Sequence, residues 1–312
     1  MRLRHPSLKW LAIPVLLMGA AAGWLLYRAV PAEVRALPAG DTLLYMDLQP
    51  LHPSGWLALG GNIQPAPAYA AFVKDSGFEF LRDLDRLAIS LRGSPVQSDS
   101  TTAELAGNFP AKFQAYLGAH AQRRLALSDA VGYQFPGWSR PDRPITVIPL
   151  GPRRLLVTNS VHPQAVLRQA QAFHPFAPPL WRRPVWSLPP LGYFAMDVLH
   201  LAAQQRLDGS RPPFRNAQRL QASLDAHPDL SIELRGTLAT ASPADAAQAA
   251  VWLQAQIQQL QPLLPEASAN TPTLRALLDR LQVTQSGPKV HVTLRLGPAT
   301  LARWQQSLSR GQ

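Results

Sequence analysis

Eighteen consecutive residues without a charge, Trp10 to Tyr27, constrain this chain more than any other feature of it. At 1.5 Å per residue a helix of that length spans about 27 Å, close to the hydrocarbon core of a bilayer. A buried helix of a soluble domain would carry a polar stripe, and this run has none. Arg2, Arg4 and Lys9 precede it and Arg28 alone follows, so the positive charge keeps the N-terminus in the cytoplasm. Trp10, Trp24 and Tyr27 stand near its ends, where amphipathic rings prefer the headgroup zone. A cleaved signal peptide is the rival reading, because Ala20-Ala21-Ala22 offers a small-residue cleavage site. Apolar residues continue past that site to Tyr27, and the run exceeds the usual ~7–15-residue signal core. An uncleaved anchor is therefore expected; either reading exports the rest of the chain.

The remainder alternates strand and helix signals. The expected order is a cytoplasmic flank (1–9), the anchor (10–27), a tether (28–39), a first module (40–173), a proline-rich linker (174–191) and a second module (192–312). In the first module Thr42–Leu48 reads as a strand, followed by a helical segment over 69–84 broken at Ser76-Gly77. Leu87–Leu91 and Ala103–Phe109 read as strands, and Pro110 opens a helix because its fixed φ and missing N–H suit a helix start. Strands follow over 130–135 and 145–158, the second broken at Gly151-Pro152, then a helix from Pro163. The second half echoes the first. Gly192–Val198 resembles the Leu43–Leu48 strand, with Met196-Asp197 after aromatic residues as Met46-Asp47 follows Tyr45, and Glu233-Leu-Arg-Gly236 echoes Glu104-Leu-Ala-Gly107. Ser242-Pro243 opens the longest helix, and a hairpin turns at Ser286-Gly287-Pro288. The expected fold class is α+β: one transmembrane helix, then two related modules, each an antiparallel sheet with packed helices. The linker holds six prolines between His174 and Gly192, which favours an extended polyproline-like connector.

Chemistry-bearing motifs are absent from the sequence. There is no Walker loop, dinucleotide fingerprint, nucleophile elbow or His-Glu-x-x-His. Cysteine is missing altogether, which removes disulfides, thiolate metal sites and a Cys nucleophile. The eight histidines show no metal-ligand spacing, so no catalytic, cofactor or metal residue is expected. Asp83-x-Asp85 reads as a salt-bridged helix end flanked by Arg82 and Arg86, since residues two apart on a helix face apart. Asp47 and Asp197, each ending the first strand of a half, read as caps of the following turn or helix. The net charge of +11 rests on arginine, with lysine only at positions 9, 74, 112 and 289. Basic pairs are dispersed rather than blocked, which suits solubility or an anionic envelope polymer; nucleic acid is not expected outside the cytoplasm. The candidate partner contact is Trp181, Arg182, Arg183 and Trp186, two indoles and two guanidiniums on a stiff segment. The competing reading is that these rings pack on their own protein.

Two phrases carry a resemblance: Leu37-Pro38-x-x-Asp41-Thr42-Leu-x-Tyr45-x-Asp47-Leu48, and Gly77-Phe78-x-x-Leu81-Arg82-Asp83-Leu84-Asp85-Arg86-Leu87. They resemble uncharacterised membrane-anchored or exported bacterial proteins of acidobacteria-like genomes, over about the first third after the anchor. The resemblance implies an anchor followed by an exported α+β domain, and no functional residues. The expected function is a non-catalytic envelope protein that binds or scaffolds a partner on the outer side of the inner membrane. The expected partners are the lipid bilayer, through the anchor, and an envelope protein or anionic polymer. The alternative is an envelope hydrolase or transferase whose site has no linear motif.

Overall fold

The computed structural model describes residues 30–52, 67–93, 98–137, 143–172, 178–183, 190–204, 207–208, 213–227, 229, 231–260 and 277–301. The Trp10–Tyr27 run lies outside them. Among the described residues no helix is long and apolar enough to cross a membrane. The first half contains α1 (Ala32–Ala36), β1 (Thr42–Asp47), α2 (Pro67–Ser76), α3 (Phe80–Asp83), β2 (Leu84–Gly93) and β3 (Ser98–Gly107). It continues with α4 (Ala111–His120), β4 (Arg123–Ala126), β5 (Val131–Phe135), β6 (Ile145–Gly151), β7 (Arg154–Thr158) and α5 (Pro163–Gln171). The second half contains β8 (Gly192–Asp197), α6 (Val198–Ala203), β9 (Ala217–Ala226), β10 (Ile232–Thr240), α7 (Pro243–Leu260), β11 (Gln282–Ser286) and β12 (Lys289–Leu296).

The expected α+β pair of modules, each with its own sheet, is overturned. Among the described residues all twelve strands form one antiparallel sheet in the order β11-β12-β10-β9-β8-β1-β2-β3-β7-β6-β5-β4, and the described helices are few and mostly short. The halves fuse at β1 and β8, where Leu43 lies opposite Ala195 and Tyr45 opposite Tyr193. Both strands are apolar on both faces, the composition of strands covered above and below. As edges of separate sheets they would expose apolar rows beside unpaired backbone groups; pairing removes both liabilities. Outward from this seam the path is alike on either side. β1-β2-β3 are met by a returning β6–β7 hairpin, as β8-β9-β10 are met by β11–β12.

The register sorts the side chains into two faces, because cross-strand partners point the same way. One face carries Leu43, Tyr45, Ala88, Tyr193 and Ala195 at the seam, covered by α1 and the segment Leu180-Trp181. Farther along it, α5 buries Val166, Leu167 and Ala170 on Ile148 and Leu156. On the opposite face Phe78, Phe113 and Leu117 of the α2–α4 layer bury Leu84 and Leu155. That face continues under α7, where Ala246, Ala249 and Ala250 bury Leu238 and Val290.

Most local signals give the elements expected of them. Pro110 stands at the N-cap of α4, and Gly77, Gly151 and Gly287 take positive φ where the chain turns. Residues 30–37, inside the segment read as a tether, are instead part of the core: Val30, Val34 and Leu37 are buried. Their spacing of four and three residues is that of one helix face, but five helical residues are too few to declare a period. β4, α6 and β9 also lack counterparts among the elements expected from the sequence.

Candidate functional site

The two ends of the central strands differ in chemistry. At one end Asp47 closes β1, with its N–H donating to the Leu191 carbonyl at 2.8 Å. Asp197 closes β8 in the opposite direction, with its N–H donating to the Asp41 carbonyl at 2.8 Å. Each lies opposite an arginine of the neighbouring strand, Arg86 and Arg219. Both carboxylates cap the next turn of the chain. Gln49 N–H donates to Asp47 Oδ1 at 3.2 Å, and His200 N–H donates to Asp197 Oδ1 at 3.0 Å, the N-cap of α6. Asp197→Ala is expected to cost about 1 kcal/mol of stability, read as a lower urea midpoint at unchanged m-value.

Beneath α1 lies a buried charge network. Glu33 of α1 reaches Arg86 (Oε1–Nη1 3.3 Å), which also faces Asp47 (Nε–Oδ2 3.7 Å) and donates to Gln49 Oε1 at 3.2 Å. Tyr45 Oη donates to Asp47 Oδ2 at 3.5 Å. On β3, Glu104 is fully buried, and Arg154 of β7 brings Nε (2.8 Å) and Nη2 (2.6 Å) to its Oε1. The Oε2 atoms of both Glu33 and Glu104 are buried without a hydrogen-bond partner. Three carboxylates thus face two guanidiniums. Burial pushes the Glu104 carboxyl up to about 7; the charge of Glu33 adds to the rise and Arg154 opposes it. Burial also raises the Asp47 carboxyl and the Tyr45 phenol.

At the other end of β1 and β2 the surface opens into a polar cleft of about 670 Å³. Asp41, Arg92, Asp99, His200 and Gln204 line it, with the backbone of Ala39-Gly40 as one wall. Asp41 is held by the Gly93 N–H, which donates to Oδ2 at 2.7 Å, while Oδ1 stands 3.4 Å from His200 Nε2. Gln204 Nε2 lies 2.7 Å from the same ring nitrogen. Gly40 has no room for a side chain, since a Cβ would sit 2.3 Å from Ser90 Oγ and 2.6 Å from the Leu91 carbonyl. The cleft offers a guanidinium, an imidazole and carboxylates to a polar ligand. Asp41 serves the Gly93 backbone and His200 first, which makes it a positioning group.

Of the residues singled out as a partner contact, Trp181, Arg182 and Arg183 are among the described residues. Trp181 is buried, edge-on to Tyr45 (centroids 5.6 Å, planes at 87°) and 4.7 Å from the Tyr193 ring. Arg182 is exposed, its N–H donating to Tyr193 Oη at 3.2 Å and its Nε to the Pro179 carbonyl at 3.2 Å. Arg183 pairs with Asp225 at 2.9 Å, and Trp186 lies outside the described residues. The described part of this segment therefore braces the seam. Asp83 and Asp85 do not share a helix end: Asp83 closes α3 and takes Arg82 at 2.6 Å, whereas Asp85 lies in β2 and takes Arg153 at 2.9 Å, and Arg86 turns to Glu33.

Among the described residues no group of acidic, histidine or cysteine side chains could hold a metal ion. No family description matches the chain, and no curated protein matches its sequence. Among solved structures, crystal form I of TP0453 aligns with a TM-score of 0.46 at 11% identity, over 90% of this chain and 99% of that one. Crystal form III of TP0453 aligns with a TM-score of 0.47 at 11% identity, over 89% of this chain and 98% of the other.

Proposed function

We propose that this chain is a membrane-anchored, non-catalytic envelope protein that presents a binding surface to a partner on the outer side of the inner membrane. The observation that carries the reading is the burial of Val30, Val34 and Leu37, which begins only three residues after the apolar run ends at Tyr27. An anchor followed at once by a helix locked onto the sheet holds the domain close to the bilayer in one orientation. Between Glu33 and Gly40 the chain advances along β2 from Arg86 to Leu91, about 17 Å of strand at its ordinary rise. Attachment and cleft therefore lie at opposite ends of the central strands, and the cleft faces the partner. A chain of +11 net charge suits an acidic protein surface or an anionic polymer as partner.

Alkaline phosphatase fused after residue 40 is expected to be active and membrane-bound at full length. An inactive fusion overturns the topology, and a shortened soluble product shows cleavage instead. A photo-crosslinking residue at Gln204 is expected to give an adduct in native membranes, where one at Arg153, on the anchored end, gives none. The reverse pattern overturns the assignment of the binding end.

A further inference from the structure

We propose that Glu104 holds a proton beneath α1, under the charge of Glu33, and that releasing it to solvent loosens α1 from the sheet. The geometry carries this first. Glu33 projects from α1 and Glu104 from the strand under it; both are more than nine-tenths buried, and each leaves its Oε2 without a partner. A buried carboxylate oxygen with no donor is costly in its charged form and comfortable when its group carries a proton. The charge count agrees. The groups facing the pair are Asp47 and Tyr45 of β1, Arg86 of β2 and Arg154 of β7. With Tyr45 neutral, three carboxylates meet two guanidiniums, and a single proton brings the cluster to neutrality. Arg154 is 44% exposed at its side chain, so the proton has a route to water beside it.

Deprotonation leaves an uncompensated negative charge under a five-residue helix whose apolar hold is Val34 and Ala36, with Val30 and Leu37 flanking it. Lifting α1 takes Glu33 away from Glu104 and relieves that charge. The latch is thus tight in acid and looser in base. Its sign comes from linkage: the docked state holds the Glu104 proton up to about 7, against the ordinary 4.5, so docking weakens as pH rises between those values and is level above them. The consequence falls on the residues that join the domain to the segment before it.

The test is hydrogen exchange, read by mass spectrometry on peptides covering residues 32–37 of the full-length chain in detergent micelles. After correction for intrinsic exchange, protection of α1 is expected to fall roughly thirtyfold between about pH 5.5 and about pH 8, while α7 stays level. Glu104→Gln, neutral at every pH, is expected to keep α1 protected at both. Glu33→Gln serves as the second variant should the first fail to fold, and is expected to shrink the drop, since it removes the charge that adds to the Glu104 rise while the burial remains. Equal wild-type protection at the two pH values overturns the proposal, as does a wild-type-like drop in either folded variant.

Discussion

Trp181→Ala lowers the unfolding free energy by about 3–5 kcal/mol, the range of a large buried aromatic truncated in a core that cannot close over the gap. The indole sits where the two halves meet, against Tyr45 of β1 and Tyr193 of β8, and the residue's backbone N–H donates to the Pro178 carbonyl at 2.8 Å. Tyr193 is fixed in turn: its Oη donates to the Leu180 carbonyl at 2.7 Å and accepts from Gln221 Nε2 at 3.1 Å. Removing the indole therefore empties the seam and loosens the hydroxyl network that ties the segment down. Urea denaturation at constant m-value measures the loss. A change below about 1 kcal/mol would mean the ring is dispensable to the core, and would return Trp181 to the candidates for a partner contact.

The second large effect separates two glycines that look equivalent in the sequence. Gly107 and Gly236 both close an ELxG phrase. At Gly107 an added Cβ would lie 2.2 Å from the Asp83 carbonyl and 3.0 Å from Leu84 Cα. That carbonyl is committed, accepting from the Asn108 N–H at 2.7 Å, and the β2–β3 register skips a residue beside it, at Asp85. Two backbones would have to part, so Gly107→Ala is expected to cost about 3 kcal/mol or more, at or beyond the top of the overpacking range. At Gly236 the same Cβ would meet Val292 Cβ at 3.5 Å, an ordinary contact. Gly236→Ala is expected to be neutral or to stabilise by up to about 1 kcal/mol, through a stiffer unfolded chain. Thermal unfolding of the two variants side by side decides it; equal melting temperatures would remove the close approach at Gly107.

Local elements were largely legible because their signals are local. A proline at a helix start, a glycine with positive φ and a run of alternating residues act within a few positions of themselves. Even the misses had signals of that kind. β9 alternates Arg219, Gln221, Ser223 and Asp225 on one face with Leu220, Ala222 and Leu224 on the other. Its residues are poor strand formers taken singly, so the alternation competes with a weak propensity. α1 shows an apolar stripe only one turn and a half long.

The candidate site was not legible, for a different reason. Asp41 and His200 are 159 positions apart in the sequence and become neighbours because β1 pairs with β8. Glu104 reads in the sequence as one polar residue in an alternating strand, a pattern that normally marks the solvent side. It is buried because Glu33 and the rest of α1 lie over that side of the sheet.

The amino-acid sequence by itself determined most of the strands, helices and turns, which residues of a strand share a face, and that an uncharged run of bilayer length precedes the domain. Side-chain alternation and backbone preference operate over a few residues, so any stretch of chain carries them. Only the tertiary structure decided that the halves share one sheet, that β1 and β8 are its central strands, and which carboxylates lose their water. Those outcomes depend on contacts between segments far apart along the chain, where the pairing of strands and the covering of a face are settled by which surfaces must be buried together.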